Sequence, residues 1–129
     1  MPHLVEGLFG EAEGRRGVED RRVHGINLVR ALRRAGIDWN QVGAVELNEA
    51  FAVQSIVCVD AWLEQGLKDP ELVNTRGGAI ALGHPFGSTG ARIMTTLVNA
   101  MQRHDVEFGL ETMCVGGGQG MAMVVERLS

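Results

Sequence analysis

Apolar side chains recur with helical spacing in three stretches of the chain. In residues 26–35 they return every third position with arginines between them, and Gly36 follows as a helix stop. A second stretch runs from about residue 50 to Gly66, and a third occupies residues 88–103, where Ser88 is a candidate cap. The spacing predicts three amphipathic helices. In the second and third, the positions predicted to face the core are Ala52, Ser55, Ile56, Val59, Trp62 and Leu63, and Ile93, Leu97, Ala100 and Met101.

Short extended segments between these helices predict strands. They cover residues 44–47, 107–114 and 121–127, and a short extended piece at residues 72–74 leads into a glycine-rich loop. The glycine-rich stretch 115–120 is typical of a tight hairpin between the last two strands. Helices that alternate with short strands indicate an α/β fold, with a mixed sheet of about four strands and helices packed on it. Residues 1–24 contain four glycines and little periodicity, so they are treated as an atypical, unassigned N-terminal segment before one domain at residues 25–129.

The composition narrows the class of protein. With 129 residues, of which 45% are hydrophobic, the chain can build one packed domain. A formal net charge of -4 argues against a nucleic-acid binder, which needs clustered basic residues. No apolar run is long enough to span a membrane and no signal-peptide pattern follows Met1, so we expect a cytoplasmic protein without a membrane partner. Cys58 and Cys114 form no C-x-x-C pair, which predicts reduced thiols, with Cys58 in the core.

A glycine-rich loop at residues 77–92 holds one histidine, His84, between Gly83 and Pro85. Glycine lets the backbone adopt positive φ and lets other groups approach closely, so such a loop can present a side chain at a cleft. The helix predicted after the loop would place His84 near a helix N-terminus, which favours an anion or a polarised carbonyl oxygen. A histidine that only packs or bonds to backbone is the alternative, and the glycine surroundings favour function.

Cys114 stands at the end of a predicted strand, directly before the second glycine-rich stretch. The backbone there is bare, so a substrate can approach the thiol closely, although a small buried hydrophobe is the alternative for any lone cysteine. A dinucleotide fingerprint needs a following helix and an acidic residue about twenty positions on, whereas nine residues follow Gly120 in this sequence. Neither glycine loop ends in Gly-Lys-Ser/Thr, so ATP is not expected as a substrate.

Asn48 and Glu49 directly follow the strand predicted at residues 44–47. Asn48 can simply cap the next helix, and Glu49 can complement its dipole. Asn48, His84 and Cys114 all stand at strand ends or before helix starts, so they can converge at one edge of an α/β sheet, where ligands bind in such folds. This set suits acyl-transfer chemistry and is a poor ligand set for a metal ion.

Three motifs together closely resemble the C-terminal part of a thiolase: Asn48-Glu49-Ala50-Phe51, the loop at residues 77–92, and the stretch 114–120. The resemblance runs from about residue 26 to the end. It implies a thiolase-like C-terminal domain and an acyl-CoA acyltransferase of fatty-acid metabolism, with coenzyme A and acyl-CoA as substrates and no bound cofactor or metal. Ketoacyl synthases share the broad fold but typically lack this thiol and the Asn-Glu-Ala-Phe motif.

The resemblance also implies a role for each site residue. His84 takes the proton of the nucleophile and donates to a thioester oxygen, and Asn48 holds a water that completes that oxyanion hole. Cys114 acts as acid or base at the substrate α-carbon, and the Gly116 amide helps to hold a second oxyanion.

The sequence departs from the family in what it lacks. A thiolase carries its acyl-accepting cysteine in an N-terminal domain and has a loop domain for coenzyme A, and neither is in this chain. Residues 1–24 do not match the family sequence that supplies the first strand of this half, which leaves open a missing strand and an exposed sheet edge. We therefore expect the C-terminal half of a thiolase, inactive alone, that associates with an N-terminal half or with itself. The alternative is a non-catalytic module, either partner-binding or a remnant.

Overall fold

Four helices and three strands build the part of the chain that the computed structural model describes, residues 23–117 and 119–128. They are α1 (Val23–Ala35), β1 (Val42–Leu47), α2 (Ala52–Gln65), α3 (Ala79–Leu82), α4 (Thr89–His104), β2 (Phe108–Gly116) and β3 (Gln119–Glu126), with short 3-10 turns at Trp39–Gln41 and Pro70–Leu72. The three predicted helices and the hairpin are therefore confirmed. The predicted N-terminal segment lies outside the described residues except for its last two, which begin α1.

The strands form one mixed sheet in the order β1-β2-β3, with β1 parallel to β2 and β2 antiparallel to β3. The α/β class is confirmed, and the sheet has one strand fewer than the four predicted within the described residues. In the extended piece expected at residues 72–74, Leu72 ends a 3-10 turn and Val73 is extended but makes only a single bridge with Val45. The expectation of a missing first strand concerns residues 1–24, which lie outside the described residues except for the last two.

Two apolar clusters pack against this sheet. The larger joins Leu28 of α1 and Trp62 of α2 to Val45 and Leu110 of the sheet. The smaller joins Leu97 of α4 and its neighbours Ala100 and Met101 to Ala44. Because successive side chains of a strand point to opposite faces, the neighbours Ala44 and Val45 place α4 on one face and α1 with α2 on the other.

Helix α2 buries a narrower face than the spacing predicts. Cys58 and Trp62 are buried, as expected, but Ile56 is 59% exposed, Leu63 is 39% exposed and Ala52 is exposed as well. Apolar residues surround most of α2, so their spacing does not indicate which of them the sheet covers. In α4 the prediction is confirmed: Ile93, Leu97, Ala100 and Met101 are all buried. Burial also raises the pKa of the Cys58 thiol.

Gly109 lets α4 pack closely on β2, since a Cβ at this position would stand 2.5 Å from Met101 Sδ and 2.9 Å from Leu97 Cδ1. We expect Gly109→Ala to lower the free energy of unfolding by about 1–3 kcal/mol through overpacking. Gly87→Ala is the matched control, because a Cβ there meets no atom within 4 Å. Urea denaturation at fixed pH compares the two variants; equal stability would contradict the tight packing of α4.

Two carboxyl groups form a buried carboxyl pair in the sheet. Glu46 of β1 and Glu111 of β2 stand directly opposite each other in the parallel ladder, and they are only 2% and 5% exposed. Burial raises the pKa of each to about 7; the nearby Arg92 lowers the pKa of Glu46, while Glu111 and Glu49 raise it. Both side chains are therefore largely protonated at mildly acidic pH.

Candidate active site

The candidate site lies at the carboxyl edge of the parallel strands. Leu47, the last residue of β1, pairs with Thr112 of β2, and the backbone N–H of Asn48 then donates to the Thr112 carbonyl at 2.9 Å. Asn48 is fully buried, and Cys114 lies two residues beyond Thr112 on β2. The sheet thus places the ends of both strands at one edge, where ligands bind in α/β folds.

Asn48 and His84 are in direct contact. His84 is half-buried in the loop between α3 and α4, and its Nε2 lies 3.3 Å from Asn48 Nδ2. This distance is longer than the usual range of about 2.7–3.2 Å, so a substrate group can compete for Nε2. The alternative that Asn48 caps the next helix does not apply, because the N-cap position of α2 is Phe51.

The hydrogen bonds of Thr89 indicate which ring nitrogen of His84 carries a proton. Thr89 is fully buried; its hydroxyl donates to the Pro85 carbonyl at 3.0 Å and lies 2.7 Å from His84 Nδ1. A hydroxyl has one proton, so Thr89 accepts the second bond from a protonated Nδ1. In that tautomer Nε2 carries the lone pair, and Asn48 Nδ2 can donate to it. The arrangement gives His84 a basic nitrogen at the sheet edge.

Asn48 also offers an acceptor. Its Nδ2 faces His84, while its Oδ1 is buried and has no hydrogen-bond partner among the described residues. A buried carbonyl oxygen without a partner is costly, and a water molecule or a ligand donor would satisfy it. Asn48 can therefore hold a polar group beside the imidazole.

The structure places Cys114 at the same edge but not in the Asn48–His84 contact. Cys114 is half-buried near the end of β2, opposite Gly120 of β3, and the side-chain hydrogen bonds of the described part do not involve it. The ladder is irregular between Cys114 and Gly116, and Gly116 has a φ of 96°, which favours glycine. The bulge turns the backbone at the point where the family motif has its glycines.

Glu49 was expected to complement the dipole of α2 with its charge, but its carboxylate is hydrogen-bonded elsewhere. One oxygen of its carboxylate accepts from Asn74 Nδ2 at 3.1 Å and the other from the Ile80 N–H at 2.9 Å, so it holds the first turn of α3. Sequence reasoning missed Asn74 and Thr89. A signal existed only for Asn74, because an Asn shortly before a glycine-rich loop is typical of a turn; the residue indeed has a φ of 53°.

Ser88 occupies the N-cap position of α4, as predicted, but its side chain makes no capping hydrogen bond. Its hydroxyl donates to the Pro85 carbonyl at 3.4 Å, so it stabilises the turn that carries His84 rather than the first N–H groups of the helix. Thr89 bonds to the same carbonyl. The Ser-Thr pair therefore shapes the loop.

Three large apolar side chains that lie within four positions of Asn48 or His84 in the sequence are exposed. They are Phe51 (74%), Ile80 (70%) and Phe86 (84%). We call them the apolar rim. The Phe86 ring meets the His84 ring edge-on, with centroids 4.7 Å apart. The described residues contain no group of three His, Cys, Asp or Glu side chains placed to hold a metal ion. None of the helices described is long and apolar enough to cross a membrane.

Comparisons with known proteins agree with the resemblance. A family model described as thiolase, C-terminal domain, matches residues 24–127. A 3-ketoacyl-CoA thiolase of Photobacterium profundum is 57% identical over 101 residues, covering 77% of this chain and 25% of the relative. That of Yersinia pestis (strain Pestoides F) is 58% identical over 99 residues, covering 76% and 25%. The chain therefore spans about a quarter of the length of the curated relatives it matches.

Proposed function

Because the chain belongs to the thiolase family by its C-terminal domain, we propose that it is the C-terminal part of an acyl-CoA acyltransferase whose nucleophilic cysteine lies in another part of the enzyme. The observation that carries this proposal is the Asn48–His84 contact at the sheet edge. We assign the domain to residues 25–129. Its substrates are coenzyme A and acyl-CoA thioesters, it needs no bound cofactor, and it acts in the cytoplasm.

The geometry supports a role for each residue in this proposal. The Nε2 of His84 takes the proton of the nucleophilic thiol, and the resulting Nε2–H then donates to the thioester oxygen. A water on Asn48 Oδ1 supplies the second donor to that oxygen. Cys114 moves a proton at the substrate α-carbon, and the Gly116 amide stabilises a second oxyanion. Thr89 keeps the proton on Nδ1, so that Nε2 is free for both tasks.

The exposed apolar rim indicates that another polypeptide covers this surface. This holds both for an enzyme and for a non-catalytic, partner-binding module. Phe51, Ile80 and Phe86 are large and exposed near one site, and such a surface marks a contact region. In the proposed enzyme this surface meets the N-terminal half or a second copy of the chain. Light scattering of the isolated chain at rising concentration separates self-association from a monomer.

The proposal is tested by assaying three samples with acetoacetyl-CoA and coenzyme A. They are the chain alone, the chain co-expressed with the N-terminal three-quarters of the Photobacterium thiolase, and that N-terminal part alone. We expect turnover only from the combined sample, because it alone unites His84 with a nucleophilic cysteine. Robust turnover by the isolated chain would overturn the idea that it is incomplete. A stable complex without turnover would favour the non-catalytic module.

A further inference from the structure

The segment that leads to His84 is bound on both sides of Asn48, to the last residue of β1 and to Glu49. On one side, the Asn74 side chain accepts from the Leu47 N–H at 2.8 Å and donates to the Leu47 carbonyl at 2.9 Å. It thus pairs with Leu47 as the backbone of a neighbouring strand would. On the other side, the Glu49 carboxylate accepts from the Ile80 N–H. The residues that flank Asn48 therefore both hold the segment that leads to His84.

These two attachments are joined to each other. Asn74 Nδ2 also donates to Glu49 Oε1 at 3.1 Å, and the Asn74 backbone N–H donates to the Val45 carbonyl at 2.8 Å. We call the side chains of Glu49 and Asn74 the clamp. Each of its polar groups has a partner within the loop or the strand, which makes the connection a closed network.

Gly78 passes directly beneath the clamp. A Cβ at this position would clash with the Glu49 carboxyl group and with Asn74 Nδ2. The φ of Gly78 is -94°, which any residue can adopt, so glycine is needed here for space rather than for backbone conformation. The close approach shows how tightly the loop is held against the end of β1.

We propose that Glu49 and Asn74 are positioning residues that set the Asn48–His84 contact, which together with the Thr89 hydroxyl keeps His84 in one tautomer. His84 follows Ile80 by four residues through the single turn of α3, so the bond from Ile80 to Glu49 fixes where the imidazole stands. Asn48 is held between Leu47 and Glu49 on the facing segment. The effect of the clamp on catalysis rests on the proposed function. Its effect on the position and tautomer of His84 does not.

The test uses the side-chain 15N signals of His84 in the full chain, assigned by comparison with His84→Gln. The unmodified chain is expected to show one Nδ1–H tautomer. Glu49→Ala is expected to lose that signature and to shift towards the tautomer mixture of free imidazole, because α3 is no longer held. Glu49→Gln keeps one acceptor for Ile80 and should lose less. Glu64→Ala, an exposed position on α2, is the matched control and should change nothing.

Gly78→Ala disturbs the clamp from the opposite side and should produce the same loss as Glu49→Ala. In the double variant the two losses should not add, because removal of the Glu49 side chain removes two of the three atoms that the new Cβ meets. If Glu49→Ala does not fold, Glu49→Gln and Gly78→Ala decide the result. A fall in stability with an unchanged His84 signature would overturn the inference and leave the clamp a structural feature only.

The inference and the proposed function fail in different ways. The 15N signals require neither substrate nor partner, so a loss of the tautomer in the variants stands even if the combined sample shows no turnover. If the combined sample is active and Glu49→Ala keeps the full kcat, the positioning role is overturned while the proposed function stands. Expected instead is a lower kcat with little change in KM, because the clamp acts through the orientation of His84, which serves the chemical step.

Discussion

Replacing His84 by alanine in the combined sample is expected to lower kcat by at least about 10³-fold, since the variant loses both a general base and an oxyanion donor. Among the described residues, no other side chain with a basic nitrogen is hydrogen-bonded to Asn48, so no such group is in place to take over the role. Steady-state assays with acetoacetyl-CoA and coenzyme A measure it. A His84→Ala chain that retains activity within tenfold of the unmodified one would contradict the role given to the imidazole.

Thr89 offers a matched pair of controls for this prediction. Thr89→Ser keeps the hydroxyl that accepts from His84 Nδ1 and should keep most of the activity. Thr89→Val has nearly the same shape without the hydroxyl, so Nδ1–H loses its partner and the tautomer is no longer fixed. We expect Thr89→Val to be much less active than Thr89→Ser, and equal activity would show that the tautomer does not limit the reaction.

Raising the pH from about 5 to about 8 is expected to destabilise the protein, because the buried carboxyl pair must ionise inside the sheet. Burial raises the pKa of Glu46 and of Glu111 to about 7 from an ordinary value of 4.5. The folded state therefore holds protons that the unfolded chain has already released, and each carboxyl contributes stability that is complete below pH 4.5 and lost as the pH rises through 7. The loss is on the order of 2–3 kcal/mol per carboxyl.

Urea denaturation at these two pH values measures this effect, and Glu111→Gln tests its origin. Glutamine keeps the shape and cannot ionise, so the variant should lose about half of the pH dependence, and the double variant with Glu46→Gln should lose nearly all of it. Arg92 opposes the effect at Glu46, since it favours the ionised form. Glu64→Gln, on the exposed face of α2, serves as the control. A stability that rises between the two pH values would contradict the assignment.

The helices and the hairpin can be predicted from the sequence where one element has one apolar face. Helix α4 shows this well, because its four inward positions are all buried. Helix α2 is apolar on most sides, so only packing against the sheet decides that Trp62 is buried and Ile56 exposed. The extended piece predicted at residues 72–74 forms a single bridge at Val73 and no ladder, because extended apolar residues look alike in sequence in both cases.

Only those residues of the candidate site that have a local sequence signal can be predicted. Asn48 and His84 stand out because a strand end and a glycine loop mark them, and the structure brings them into contact. The residues that position Asn48 and His84 cannot be found from local sequence patterns. Glu49 and Asn74 lie 25 residues apart, and each has an ordinary local explanation as a helix-start charge or a turn residue. Their contact depends on the crossing of the loop over β1, which no local pattern encodes.

The parallel pairing of β1 with β2 has a consequence for how the chain folds. Val42 pairs with Phe108 across a crossover that contains α2, α3 and α4, whereas β2 and β3 are joined by a tight hairpin. Distant pairings of this kind form slowly, since a long loop must close first, while the hairpin can form by itself in microseconds. During synthesis β1 therefore emerges long before its partner strand exists. The ribosome completes most of this domain before its sheet can begin to assemble.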